Sequence, residues 1–204
     1  MRDLEKKLLT IFAITTIAYF LTRETTVELT PGVKIPNPPF QENLKSKDSF
    51  KYKDSTLTKM AKIHLKAKIL SKMPYSDRNA YLAPIDLALG WGVMSDETII
   101  KQFKISQSVR YTSWRIKDRN NYSYSDKDVA SSIANMHIIP ANDAVKKAVF
   151  SIRKGDIIEL KGNLVYLKKE NGETWNSSLV RTDTGNGACE LVWLEEIKII
   201  TGEY

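Results

Sequence analysis

The chain has 204 residues and a mass of 23.2 kDa, with 42% apolar and 27% charged residues. That suits one domain plus a tail and excludes wholesale disorder and a multi-span membrane protein. One cysteine, Cys189, and two histidines, His64 and His137, exclude an internal disulfide and a Cys/His zinc module.

Residues 1–24 read as an amino-terminal membrane anchor. Residues 8–22 carry no charge, and Leu8, Leu9, Ile11, Phe12, Ile14, Ile17, Tyr19, Phe20 and Leu21 supply the apolar surface. As a helix this run covers about 22 Å, short of a hydrocarbon core of about 30 Å, and Lys6, Lys7 and Arg23 can snorkel to lengthen it. No A-x-A-like site follows the run, so an uncleaved signal anchor is expected ahead of a cleaved signal peptide or a buried helix. Arg2, Lys6 and Lys7 precede it, which puts the amino terminus in the cytoplasm. The expectation is a single-pass bacterial inner-membrane protein with its domain in the periplasm.

Residues 25–58 read as a proline-rich extended tether. Pro31, Pro36, Pro38 and Pro39, followed by Phe40, block regular ladders and suit an extended peptide docked on a partner or on its own domain. Charge is uneven. Residues 41–78 hold ten Lys/Arg against four Asp/Glu, whereas residues 79–204 hold sixteen of each. The excess is thus local, and the neutral balance of residues 79–204 argues against nucleic-acid binding by that region, because phosphate binding needs concentrated positive charge.

Residues 59–204 read as an extracytoplasmic α+β domain. From Ala61 to Ile69, apolar residues alternate with Lys62, His64, Lys66 and Lys68. Period two predicts a half-buried strand with a basic outer face, suited to an acidic partner or lipid headgroups, or serving only to deter edge-to-edge aggregation. Pro84 is expected to open a helical turn, and Gly90 and Gly92 to let backbone pass close beside Trp91. A short helix is expected after Ser95-Asp96, a strand over 105–117, a helix over 127–135 and another after Asn142 or Asp143. Strands over 157–168, 174–182 and 188–200 are joined by turn chemistry at Glu170-Asn171-Gly172-Glu173 and Thr184-Gly185-Asn186-Gly187. Together these predict a small, mostly antiparallel curled sheet or OB-like barrel with one or two short helices. KGDIIELKGNLV is similar to the turn–strand–glycine–strand rhythm of such barrels.

The blocks DLALGWGVMSD (86–96), ISQSVRYTSW (105–114), ANMHIIPAN (134–142) and WNSSLVRTDTGNGACELVWLE (175–195) resemble those of a bacterial family of hypothetical, membrane-anchored proteins. The family carries no assigned activity, so the resemblance implies a domain boundary and an anchored amino end but no mechanism.

Catalytic groups are sparse. Asp183-Thr184-Gly185 matches an aspartic-protease tripeptide, but that chemistry needs two carboxylates and a hairpin turn explains the same letters. Cys189, His137 and Asp183 or Glu190 contain the residue types of a thiol nucleophile, base and orienter. Asp183, Asn186, Glu190 and Asp86 or Asp96 offer oxygen donors without calcium-loop spacing. Trp91, Tyr111, Trp114, Trp175 and Trp193 suit a sugar or nucleobase platform, or simply a core. Asn135, His137, Ser178, Arg181 and Asp183 suit a polar groove or a register-fixing network. No cofactor or metal is implied. The reading this favours is a non-catalytic scaffold module docking onto protein partners in an envelope complex, beside inner-membrane lipid. Its alternative is a small periplasmic hydrolase using His137 with Cys189 or Asp183.

Overall fold

The computed structural model describes residues 7–15, 26–122, 124–180 and 188–203. Residues 7–15 form helix α1, on which Leu8, Leu9, Ile11, Phe12 and Ile14 are all exposed. Ile17, Tyr19, Phe20 and Leu21 lie outside the described residues. Among the described residues no helix is long and apolar enough to cross a membrane. The single-pass anchor, and the inner-membrane and periplasmic address derived from it, are corrected accordingly.

The domain is α+β, with a mostly antiparallel, barrel-like sheet and few helices. Strands β1 (Phe40–Asn43) and β2 (Ser49–Tyr52) lie antiparallel on β3 (Ser55–Pro74). Along β3, Ala61, Ile63, Leu65 and Ala67 turn inward while Lys62, His64 and Lys66 face solvent. Its first part pairs β8 (Ile157–Lys169), and its last part pairs β4 (Ile85–Gly90). A bulge between Ile69 and Ser71 bends the strand near the change of neighbour. β4 pairs β7 (Ile133–Pro140), β7 pairs β10 (Glu190–Ile199) in parallel, and β10 returns to β8. The order β3-β4-β7-β10-β8 thus closes on β3 through the β3–β8 ladder. Gly162 permits that closure, since a Cβ there would sit 2.2 Å from the Trp193 carbonyl oxygen on β10. Ile63, Leu65, Leu87, Met136, Leu160 and Val192 fill the interior.

The segment between β4 and β7 covers the barrel's outer side. It holds a 3₁₀ turn at Gly92–Ser95, helix α2 (Glu97–Ile100), hairpin β5 (Phe103–Ser108)–β6 (Tyr111–Ile116) and helix α3 (Asp126–Ala130). Leu70 and Ala88 meet Met94, Ile99, Phe103 and Val129 beneath it. β4 is consequently buried on both faces, not the helical turn expected after Pro84. The close passage expected beside Trp91 is present, because a Cβ on Gly90 would meet the Met94 carbonyl oxygen at 2.3 Å. The same cover corrects Lys68. It points outward with Lys62 and Lys66, but α2 seals it into an ion pair with Glu97. Helix α4 (Asp143–Ser151) joins β7 to β8; the Asn142 side chain caps it from Val145 N–H at 2.9 Å, and Val145 and Val149 are buried. Short strand β9 (Thr174–Asn176) continues the sheet beyond β8.

The proline-rich segment lies against its own domain. Ile35 is buried in the barrel core, its N–H and that of Lys34 bond Ser95 Oγ at 3.0 and 3.1 Å, and Gly92 N–H bonds the Ile35 carbonyl at 2.7 Å. Pro39 is buried, whereas Pro31, Pro36, Pro38 and Phe40 are exposed. A polar stretch with one well-placed isoleucine and open backbone donors docks as a strap once those donors find partners.

Candidate ligand-binding cleft

Three chain segments converge at one end of β4 and β7: the 75–84 loop after β3, the tip of the β5–β6 hairpin, and the turn joining β8 to β9. They enclose an open cleft of about 590 Å³ whose walls include Arg78, Asn79, Val109, Arg110, Tyr111, His137, Lys169, Glu173, Trp175, Asn176 and Cys189.

The hairpin tip is a two-residue turn, with Ser108 opposite Tyr111 and both Val109 (φ 48°) and Arg110 (φ 64°) in the left-handed region. Turns of this kind favour Asn-Gly, because a Cβ in that region costs about 1–2 kcal/mol per residue. Arg110 explains how the turn is held. Its Nε and Nη2 donate to Asp77 Oδ2 and Oδ1 at 2.7 and 2.8 Å, and Nη2 also donates to the Ala83 carbonyl at 3.1 Å. Nη1 reaches Asp86 Oδ1 at 3.4 Å, the backbone N–H donates to Tyr75 Oη at 2.9 Å, and the carbonyl accepts Asn135 Nδ2 at 3.1 Å. The guanidinium lies 4.3 Å from the Tyr75 ring centre and 5.3 Å from that of Trp175.

Asp86 sits behind this wall, fully buried. His137 Nδ1 lies 2.9 Å from Asp86 Oδ1 but off the line of a hydrogen bond. The Arg110 charge and the imidazole therefore face a carboxyl group that water does not reach, and removing Arg110 would leave that group buried without its guanidinium. Burial and, next, the Asp86 charge push the Tyr75 phenol up to about 12, so it stays neutral and can bond as a hydroxyl. Asp77 is held below the usual carboxylate range, chiefly by its bonds from Arg110. On the opposite wall, Glu173 is also held low, first by the Lys169 hydrogen bond and then by the Arg78 charge. Lys169 Nζ donates to Glu173 Oε2 at 2.9 Å and to Asn79 Oδ1 at 2.8 Å; Arg78 Nη1 lies 3.3 Å from Glu173 Oε1.

Some of the expected site residues meet here and others do not. His137 and Cys189 both line the cleft, but His137 Nδ1 faces Asp86, and Cys189 Sγ accepts from Asn135 Nδ2 at 3.6 Å and lies 3.8 Å from the Arg110 carbonyl. Asp183 and Arg181 lie outside the described residues, as does Asn186. Asn135 is a clip, with Oδ1 accepting Gln107 Nε2 and Thr112 Oγ1 at 2.9 and 2.7 Å, tying the hairpin to β7. Ser178 Oγ accepts Val180 N–H at 3.0 Å.

The five aromatics do not form one platform. Trp91 is buried with Nε1 on the Ser131 carbonyl, Trp114 packs edge-on against Phe103, and Trp193 packs against Phe50 and Tyr52. Trp175, 4.8 Å from the His137 ring, and half-exposed Tyr111 remain on the cleft. Asp96 caps α2 through Thr98 N–H at 2.9 Å. Among the described residues no group of three His, Cys, Asp or Glu side chains could hold a metal ion. Sequence reasoning missed Tyr75, Asp77, Arg78 and Arg110. The available signal was a single arginine inside the SVRY turn of a strand-like run.

No family model and no curated protein matches the chain. Among solved structures, a mitochondrial single-stranded DNA-binding protein of S. cerevisiae, Rim1, is similar over 69% of this chain and 93% of its own, at 12% identity and a TM-score of 0.28. At that score the likeness carries no weight for fold or ligand.

Proposed function

We propose that this chain is a non-catalytic binding module of the OB type that takes a neutral oligosaccharide in the cleft. The barrel order β3-β4-β7-β10-β8, the parallel β7–β10 pair and a helix between β7 and β8 support the OB assignment. Barrels of that type take oligonucleotides or oligosaccharides on the face of their second and third strands, between the loops after the first and fourth. Here the second and third strands are β4 and β7, whose outer face the β5–β6 hairpin covers, and the cleft lies at their end, walled by the 75–84 loop, the hairpin tip, the chain after β8 and His137 of β7.

Charge favours the sugar over the nucleic acid, and it is the observation that supports the reading. Arg78 and Lys169 are paired with Glu173, and Arg110 with Asp77 and Asp86. A phosphate chain would have to break these pairs to gain contacts, whereas hydroxyls of a neutral sugar can bond to the paired groups as they stand. Trp175 and Tyr111 supply ring faces for the sugar's C–H surface. The reading keeps the non-catalytic character expected from the sequence and replaces the protein partner with a glycan.

The test is tryptophan-fluorescence titration of the full chain with neutral hexasaccharides and, separately, a labelled oligo-dT. Saturable sugar binding, unchanged between about 50 and 200 mM salt and lost in Trp175→Ala, supports the reading. Oligo-dT binding that falls steeply over that salt range, with no sugar response, would overturn it.

A further inference from the structure

We propose that Val109 is a specificity contact for the methyl of an acetamido group, so that the cleft prefers 2-acetamido sugars to plain glucans; this rests on the glycan reading above. Val109 combines three properties that fit poorly with a purely structural role. Its φ is 48°, a region where a β-branched side chain is a true outlier. Its side chain is not packed away, for the residue is 80% exposed. It also forms part of the cleft wall, with Tyr111 and Trp175. Glycine or asparagine would make the same turn with less strain.

The conformation is imposed from behind. Arg110, the second turn residue, is fixed through its side chain by Asp77 and Asp86, through its N–H by Tyr75 and through its carbonyl by Asn135. The turn cannot relax without releasing those bonds, so the backbone that carries the isopropyl group is set before any ligand arrives. Strain held in this way at a binding wall is a recognised form of preorganisation.

The chemistry of the wall then selects the ligand. A sugar hydroxyl gains nothing from an isopropyl group. An acetamido group carries a methyl that does, together with an amide N–H and C=O that need polar partners. Asn79 and Asn176 line the same cleft and supply amide groups.

The experiment compares chitohexaose with cellohexaose, which share a β-1,4 backbone and differ at C2, on the wild-type chain and Val109→Gly. Dissociation constants come from calorimetry and stability from thermal melts. The wild type is expected to prefer chitohexaose by up to roughly tenfold, the lower end of what one methyl-sized group contributes in a fitted pocket, because Val109 stands in an open cleft. In Val109→Gly that ratio falls severalfold while the melting temperature rises, because glycine removes the methyl contact and relieves the strained turn. Equal binding of both sugars by the wild type, or a ratio unchanged in Val109→Gly, overturns the Val109 assignment and leaves the glycan reading standing. Binding of neither sugar overturns both.

Discussion

Arg110 and Asp77 meet in a two-point clamp, Nε to Oδ2 at 2.7 Å and Nη2 to Oδ1 at 2.8 Å, that fastens the β5–β6 hairpin to the 75–84 loop. The geometry is the parallel fork that lysine cannot reproduce. Arg110→Lys is therefore expected to keep the charge facing Asp86 but lose the clamp, lowering stability by about 1–2 kcal/mol. Arg110→Ala also strands Asp86, and should cost about 3–5 kcal/mol. Urea denaturation of the two variants checks the order. Equal losses would mean that the fork geometry contributes nothing beyond charge.

Lys68 and Glu97 provide a second, independent contrast. Their side chains are only 3% and 12% exposed. Breaking the pair leaves one buried charge, so Lys68→Met alone is expected to destabilise by about 3–5 kcal/mol. The double variant Lys68→Met/Glu97→Leu should recover most of that loss, since two apolar groups need no partner. Chemical denaturation of the single and double variants reads the coupling, and simple additivity would contradict it.

Two kinds of signal are legible in the sequence. Ala61–Ile69 shows its period because water lies on one side, and the β8 and β10 ranges emerge within two residues because turn chemistry bounds them, although β8 is buried along most of its length. β4 could not be read, because Ile85–Gly90 is covered on both faces and a short unbroken apolar run has no period to report. The run 105–117 looked like one strand because its turn, Val109-Arg110, carries no turn chemistry; tertiary bonds to Arg110 override local preference there. The helix expected over 127–135 stops at Ala130, after which Ile133–Pro140 joins the barrel as β7. Lys68 looked exposed because alternation reports side-chain direction, not what lies over it. The cleft was legible only in fragments, since Tyr75, Asp77, Asp86, Arg110 and His137 come from four separate stretches.

Gly162 tests the closure of the barrel. A methyl there would overlap the Trp193 carbonyl, and that oxygen belongs to a strand paired on both sides. Gly162→Ala is expected to lower stability by about 3 kcal/mol through overpacking, with the secondary structure retained. Thermal melts with far-ultraviolet circular dichroism check it. A melting temperature within about a degree of wild type would show that β8 and β10 can separate at low cost.

Glu159 sets an acid-side limit on stability. Its carboxylate accepts Lys198 Nζ at 2.8 Å and lies 2.7 Å from His64 Nε2, and these contacts lower its pKa from 4.5 to about 2, the Lys198 bond contributing most. The folded chain thus holds this group ionised at acidities where the unfolded chain has protonated it. Such a group stabilises the fold fully above pH 4.5, and its contribution fades as the pH falls from there toward 2. Glu159→Gln is expected to lower stability at neutral pH and to flatten the decline in that acid window. Urea midpoints measured for both proteins from pH 7 to about pH 2.5 would show two curves converging as acid is added. Curves that stay parallel would mean that neither Lys198 nor His64 stabilises the charged form.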